Sequence, residues 1–133
     1  MPPLRPWMRS LLRFAGCFNL VAGASMIGLY SEGYHLLGIE KPVVVMPVQV
    51  MGILVALFGV GYLLVARHPH KNRDLLMLGF WSKALSSAVA LWYVAFGPLP
   101  VWFAAVVFLA DVVYLPPFYV ILRHLDRQGA CVE

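Results

Sequence analysis

Four long apolar stretches dominate this chain of 133 residues and limit what it can fold into. They cover about residues 11–30, 46–66, 75–96 and 101–122. Each is long enough to span the hydrocarbon core of a bilayer, which takes about 20 residues of α-helix. The stretches are continuously apolar rather than alternating, which favours helices over the strands of a membrane barrel. We therefore predict one all-α domain over residues 1–133, an integral membrane four-helix bundle.

The composition excludes a water-soluble domain of this size. Hydrophobic residues make up 62% of the chain and charged residues 12%, whereas soluble domains average about 25% charged residues. A small soluble domain buries too little of its surface to hide this much apolar area. Because the basic residues flank the apolar stretches and no long polar segment is left over, we expect membrane lipids as partners and no nucleic acid.

Lysine and arginine are distributed unequally between the two sides of the predicted bundle. One side carries only Lys41, within a predicted loop over residues 31–45. The N-terminus, the 67–74 turn and the C-terminal tail form the other side, which carries Arg5, Arg9, Arg13, Arg67, Lys71, Arg73, Arg123 and Arg127. Basic residues accumulate on the cytoplasmic side of membrane proteins. We therefore predict that both termini are cytoplasmic and that the protein lies in the cell inner membrane.

The N-terminus also resembles a signal peptide, because Arg5 and Arg9 precede apolar residues. Arg13 interrupts the hydrophobic core that such a signal needs, so we expect an uncleaved first helix. Cys17 then lies in that helix and Cys131 in the cytoplasmic tail, where a disulfide is not expected.

Two residues of opposite charge, Lys83 and Asp111, lie inside the third and fourth stretches. Charge in mid-span is costly, so such residues usually face the interior of a bundle and pair. Lys83 lies 13 positions before Phe96, and Asp111 lies 10 positions after Val101. Across the tight 97–100 turn the two therefore differ in depth by about 4–5 Å, which a lysine side chain spans. We predict an ion pair between the last two helices.

Other polar residues lie where they would surround this pair. Tyr114 follows Asp111 by one helical turn and is placed to donate a hydrogen bond to it, and Asn19 lies at nearly the depth of the lysine. Ser86 and Ser87 continue a small, polar face of the third helix. The predicted cluster is Lys83, Asp111, Tyr114, Asn19, Ser86 and Ser87. Its role is open between fixing helix register and acting as a proton relay or polar ligand site.

Prolines and glycines mark further positions within the spans. Pro116 and Pro117 remove the helical hydrogen bonds to the carbonyls four residues earlier, so we predict a helix kink there. Such a kink is either a packing feature or the opening of a cavity or cation site. Gly52, Gly59 and Gly61 in the second helix predict close packing against a neighbouring helix.

No segment carries a motif tied to one reaction. The chain lacks a phosphate-binding glycine loop, a nucleophile elbow, paired carboxylates and a zinc-binding helix. No catalytic residue is assigned, and the sequence leaves open whether the protein is an enzyme. His68, His70 and His124 do not have the spacing of metal ligands, so no metal and no cofactor are expected.

Four short segments carry a family resemblance: residues 13–16 (RFAG), Gly23, Gly79 with Lys83, and residues 110–118 (ADVVYLPPF). In these segments the chain resembles small four-helix bacterial membrane proteins of the DoxX-like kind. The resemblance implies a four-helix fold over most of the chain and, for some members, an association with quinone-linked redox systems. No quinone-binding residue is assigned, because the chain shows no motif for one.

Three functions remain open on this basis. The first, which we expect, is an accessory or structural subunit of a larger membrane system, favoured by the small size and the lack of soluble domains. The second is a small proton-coupled transporter acting as a homo-oligomer, since four helices around one charge pair leave little room for a pore. The third is a quinone-linked or lipid-linked membrane redox protein that uses Lys83, Asp111 and Tyr114.

Overall fold

The fold is a helical bundle, observed in a computed structural model that describes the backbone of residues 4–132 and the side chains of residues 4–127. The elements are α1 (Pro6–Gly28), α2 (Tyr30–Leu37), α3 (Met46–Arg67), α4 (Arg73–Phe96), α5 (Phe103–Ala110), a 3₁₀ turn (Val112–Tyr114) and α6 (Leu115–Val132). Four segments are long and apolar enough to cross a membrane: Pro6–Gly28, Met46–Arg67, Arg73–Phe96 and Phe103–Arg127. The predicted all-α fold with four spans is confirmed, and it fits a multi-pass membrane protein.

Neighbouring spans run antiparallel, which gives the bundle two distinct ends. The start of α1, the turn between α3 and α4, and the last turns of α6 lie at one end, here named the termini end. The opposite end contains α2 and the turn between α4 and α5, and is named the hairpin end. These two names describe the bundle itself and are independent of its orientation in a membrane.

The contact between α1 and α3 is the most extensive in the bundle. Its centre is made of glycines spaced seven residues apart on each helix, with Gly16 opposite Gly59 and Gly23 opposite Gly52. A Cβ atom added to Gly59 would lie 2.7 Å from the carbonyl oxygen of Gly16. Backbones approach this closely only where side chains are absent. The predicted close packing is confirmed at Gly52 and Gly59 but wrong at Gly61, where an added Cβ meets no atom within 4 Å.

The apolar core lies toward the termini end and draws on all four spans. Its fully buried large side chains are Met8, Leu12, Tyr62, Val65, Leu76, Phe118 and Ile121. Toward the hairpin end many large side chains of α4, α5 and the turn between them are exposed, among them Trp92, Phe96, Val101, Phe108 and Leu109. The bundle is therefore packed at the termini end and offers broad apolar surface at the hairpin end, as a lipid environment requires.

Polar contacts fix the ends of helices at the termini end. The Nδ2 atom of Asn72 donates hydrogen bonds to the carbonyl oxygens of Leu64 and His68, both at 3.1 Å, which ties the turn to the end of α3. Arg73, at the start of α4, donates two hydrogen bonds to the Asp126 carboxylate, at 2.9 and 3.2 Å. This fork joins α4 to α6 across the bundle.

Replacing Asp126 by asparagine is expected to lower the free energy of unfolding by less than about 1 kcal/mol, because solvent screens part-exposed ion pairs. Chemical unfolding of the purified variant in detergent micelles measures this loss. A loss well above that value would mean that the fork carries far more of the packing between α4 and α6 than its exposure implies.

The predicted loop over residues 31–45 is wrong in its first part, because the chain forms α2 there. Tyr30, Gly33, Tyr34 and Leu37 are partly buried and recur at helical spacing, so one face of this short helix packs inward. The helix ends at Gly38, whose φ of 66° lies in the left-handed region that favours glycine. Only residues 38–45 connect α2 to α3 without regular structure.

Candidate functional site

The fourth span is interrupted in its middle. α5 ends at Ala110, and α6 begins at Leu115 after the 3₁₀ turn. Pro116 and Pro117 therefore lie in the first turn of α6, where backbone N–H groups have no intrahelical acceptor and their absence costs nothing. A continuous helix would instead place both proline rings against the preceding turn. The chain thus has a break directly before the prolines in place of a bend in one long helix.

The 3₁₀ turn leaves one backbone carbonyl available for a side chain. In a continuous α-helix the N–H of Tyr114 would bind the carbonyl oxygen of Ala110. Here it binds the carbonyl oxygen of Asp111, at 3.1 Å. The Ala110 oxygen instead accepts a hydrogen bond from Nζ of Lys83, at 3.2 Å. The break in the backbone therefore creates an acceptor for the buried ammonium group.

The ammonium group of Lys83 has three oxygen acceptors, as many as it has protons. They are Oδ1 of Asp111 at 3.1 Å, the Ala110 carbonyl at 3.2 Å and Oδ1 of Asn19 at 3.4 Å. The amide of Asn19 is itself held by α3, because its Nδ2 donates to the carbonyl oxygen of Val55 at 3.4 Å. One ammonium group thus joins α1, α4 and α5, and its hydrogen bonds offset the cost of burying charge.

Aromatic rings enclose this group toward the termini end. Nζ of Lys83 lies 5.0 Å from the ring centroid of Tyr114 and 5.9 Å from that of Tyr62, within the range of cation–π attraction. Phe118 packs against both tyrosines, with centroid distances of 5.8 and 5.0 Å. Tyr114 therefore contributes its ring to the ammonium, and within the described side chains it forms no hydrogen bond with Asp111.

The two predicted serines lie in different environments. The inward positions of α4 are Leu76, Gly79, Lys83 and Ser87, at a spacing of three or four residues. Ser87 is buried one turn beyond the lysine, and its Oγ forms no hydrogen bond with any residue that the structure describes. Ser86 falls off this row and is exposed, so it does not belong to the cluster.

Tyr62 and the Ala110 carbonyl belong to the site but were not predicted from the sequence. Gly79 is the only trace of the tyrosine, since a Cβ there would overlap its ring and lie 2.6 Å from the hydroxyl oxygen. The prolines pointed to freed carbonyls at Val112 and Val113, whereas the 3₁₀ turn frees Ala110. The local sequence does not show which helix packs against Gly79, and it does not show where the 3₁₀ turn begins.

The two members of the ion pair differ in their exposure. The Lys83 side chain is 6% exposed, whereas that of Asp111 is 30% exposed. The carboxylate contacts the lysine through Oδ1, and Oδ2 forms no hydrogen bond within residues 4–127. The site therefore consists of a saturated cation inside the bundle and an anion that reaches its surface in mid-span.

An apolar cavity of about 280 Å³ lies at the hairpin end, away from this cluster. Its lining includes Leu29 between α1 and α2, Tyr30 and Tyr34 of α2, and Phe103 at the start of α5. None of the cluster residues lines this cavity. It therefore provides no apolar binding space next to Lys83 or Asp111.

Comparison with known proteins adds no assignment to the cluster. No family model matches the chain, and no curated protein and no solved structure matches it either. The DoxX-like resemblance accordingly stays a prediction, and the role of the cluster follows from its own geometry.

Proposed function

We propose that this protein is an accessory or structural subunit of a larger membrane system, and that it packs against its partner on the face around Asp111. The part-exposed carboxylate in mid-span carries this proposal. An aspartate at the centre of a membrane helix costs roughly 3 kcal/mol on insertion scales. A protein surface that covers the carboxylate and donates a hydrogen bond to Oδ2 removes much of that cost.

The saturated ammonium supports a structural role for Lys83. Each of its protons has an acceptor, and the three acceptors come from two other spans and the backbone break. A proton relay needs a group that gains and loses its proton during the cycle. If Lys83 lost a proton, it could no longer donate a hydrogen bond to all three oxygens. The geometry therefore favours a structural role, in which Lys83 holds α1, α4 and α5 in register.

The alternatives use the same residues and predict different measurements. A proton-coupled transporter acting as a homo-oligomer requires proton-dependent uptake in proteoliposomes that is lost in the Asp111→Asn variant. A quinone-linked or lipid-linked redox protein requires a bound quinone or lipid beside Lys83, Asp111 and Tyr114. The apolar cavity at the hairpin end has no cluster residue in its lining, so it offers no quinone or lipid site beside the cluster. This favours the subunit proposal over the redox alternative.

Orientation and membrane type form part of the proposal. Eight of the ten lysine and arginine residues cluster at the termini end, and Lys41 lies at the other. We propose that the termini end faces the cytoplasm, because this charge asymmetry is the usual orientation signal. We also propose an inner-membrane location, on the same charge asymmetry. Membership among DoxX-like proteins is proposed on residues 13–16, Gly23, Gly79 with Lys83, and residues 110–118.

Site-specific photocrosslinking tests whether a partner covers this face. Phe108 is exposed and lies one helical turn before Asp111, so a photoreactive residue in its place is expected to form an adduct with one other membrane protein. The same protein is expected to co-purify in stoichiometric amount after mild solubilisation. Mass spectrometry of the adduct identifies it.

Leu54 provides the matched control for this experiment. It is exposed on α3 and lies about as deep from the hairpin end as Asp111 does. Equal protein adducts from both positions, or lipid adducts alone, would contradict a partner at the Asp111 face. An adduct with a second copy of the chain would instead favour the oligomeric alternative over the subunit.

A further inference from the structure

A cleft of about 320 Å³ opens at the termini end, between the start of α1 and the last turns of α6. Three arginines line it, Arg5 from one end of the chain and Arg123 and Arg127 from the other. The hydrophobic side chains of Met8 and Val120 also contribute to its wall. Arginines from opposite ends of the chain thus line one concave surface that also has an apolar part.

The charge of this cleft is not neutralised by the acids that the structure describes. Asp126 lies next to Arg127 in sequence, but its carboxylate is held by Arg73 of α4. No ion pair within residues 4–127 involves Arg5, Arg123 or Arg127. Three cations on one concave surface repel one another and favour binding of an anion.

Polar groups beside the arginines add hydrogen-bonding capacity. The hydroxyl oxygen of Tyr119 accepts a hydrogen bond from Nη1 of Arg123 at 3.1 Å, which leaves its own O–H available as a donor. His124 also lines the cleft, and its enclosed Nε2 has no hydrogen-bond partner in the part of the chain that the structure describes. The imidazole Nε2 is therefore available for a further hydrogen bond.

We propose that this cleft binds a phosphate group, with Arg5, Arg123 and Arg127 as its cationic ligands. Guanidinium groups bind phosphate through paired, charge-assisted hydrogen bonds. The cleft lies at the ends of α1 and α6, where the headgroups of a bilayer meet the spans, and its apolar wall suits the first carbons of a lipid. The favoured source is therefore an anionic phospholipid, which is a ligand distinct from any protein partner at Asp111.

Binding of phosphatidylglycerol to the purified protein, measured by native mass spectrometry, tests this site. The three arginines would each lose a charge-assisted hydrogen bond to the phosphate, so the triple variant Arg5→Gln/Arg123→Gln/Arg127→Gln is expected to bind at least roughly a hundredfold more weakly. Phosphatidylcholine, which has no net charge, is expected to bind the original protein far more weakly than phosphatidylglycerol. The single variant Arg127→Gln, at an exposed position, provides a milder test that leaves the fold unperturbed.

A second triple variant separates the cleft from general charge. Arg13, Arg67 and Lys71 are exposed on the same side of the protein and do not line the cleft. Their replacement by glutamine removes the same charge and is expected to leave phosphatidylglycerol affinity nearly unchanged. Equal losses in both triple variants, or equal binding of phosphatidylglycerol and phosphatidylcholine, would overturn the proposal.

Inorganic phosphate distinguishes the two sources of the ligand. If millimolar phosphate displaces the lipid and binds alone in an Arg127-dependent way, the phosphate site stands and its ligand comes from solution. If the lipid resists displacement, the site stands with a lipid ligand. Neither result depends on crosslinking at Phe108, so this site and the proposed subunit function fail or succeed separately.

Discussion

Replacing Asp111 by leucine is expected to lower the free energy of unfolding by about 3–5 kcal/mol, because it leaves a buried ammonium without its counterion. The Lys83 side chain is 6% exposed. Its remaining acceptors, the Ala110 carbonyl and the amide of Asn19, are neutral. Detergent unfolding curves followed by circular dichroism measure the loss.

The reverse substitution is expected to cost less. Lys83→Met leaves an unpaired carboxylate that is 30% exposed, whereas Asp111→Leu leaves an unpaired ammonium that is 6% exposed, so the charge left behind is less buried. The double variant Lys83→Met/Asp111→Leu is expected to recover most of the stability lost in Asp111→Leu, since well-packed apolar residues often replace a buried ion pair without loss. A change below about 1 kcal/mol in Asp111→Leu would show that the pair does not hold the bundle together.

The double variant also separates the two roles of the cluster. A structural role of the ion pair predicts that the folded double variant still forms the crosslinked adduct with its partner. The adduct is expected to be weaker, because the carboxylate is gone. A proton relay predicts a folded protein that has lost proton-dependent uptake. Because both readouts use the same folded variant, loss of structure does not confuse them.

Gly59→Ala is expected to lower the free energy of unfolding, whereas Gly61→Ala is not. The added methyl group at Gly59 would lie 2.7 Å from the carbonyl oxygen of Gly16 and 2.9 Å from the backbone nitrogen of Leu20. Backbone atoms do not move aside as a flexible side chain does, so α1 and α3 must separate, at a cost of about 1–3 kcal/mol. The loss spreads along a contact that also positions Asn19 in the cluster.

Gly61 lies two residues away on the same helix and serves as the control. Its added methyl group meets no atom within 4 Å, and alanine is favoured over glycine in a helix by up to about 1 kcal/mol. The Gly61→Ala variant is therefore expected to be as stable as the original protein or slightly more so. Similar losses in both variants, measured by unfolding in the same detergent, would contradict the packing described for α1 and α3.

The sequence by itself determined the number of spans and the pairing of Lys83 with Asp111. Both follow from simple lengths: an apolar stretch must match the thickness of the hydrocarbon, and a fixed rise per residue sets the depth of each charge. The same arithmetic placed Asn19 near the lysine, and the structure brings the three side chains together. Such quantities need no knowledge of which helix faces pack.

Only the tertiary structure decided how the cluster is completed. The start of the 3₁₀ turn selects the Ala110 carbonyl, helix rotation buries Ser87 and exposes Ser86, and packing of α3 on α4 brings in Tyr62. Likewise, the register of α1 on α3 makes Gly59 a contact and leaves Gly61 open. The depth of a residue in the membrane follows from its position along its own helix. The direction in which its side chain points depends on how neighbouring helices rotate and pack, and residues throughout the chain determine that packing.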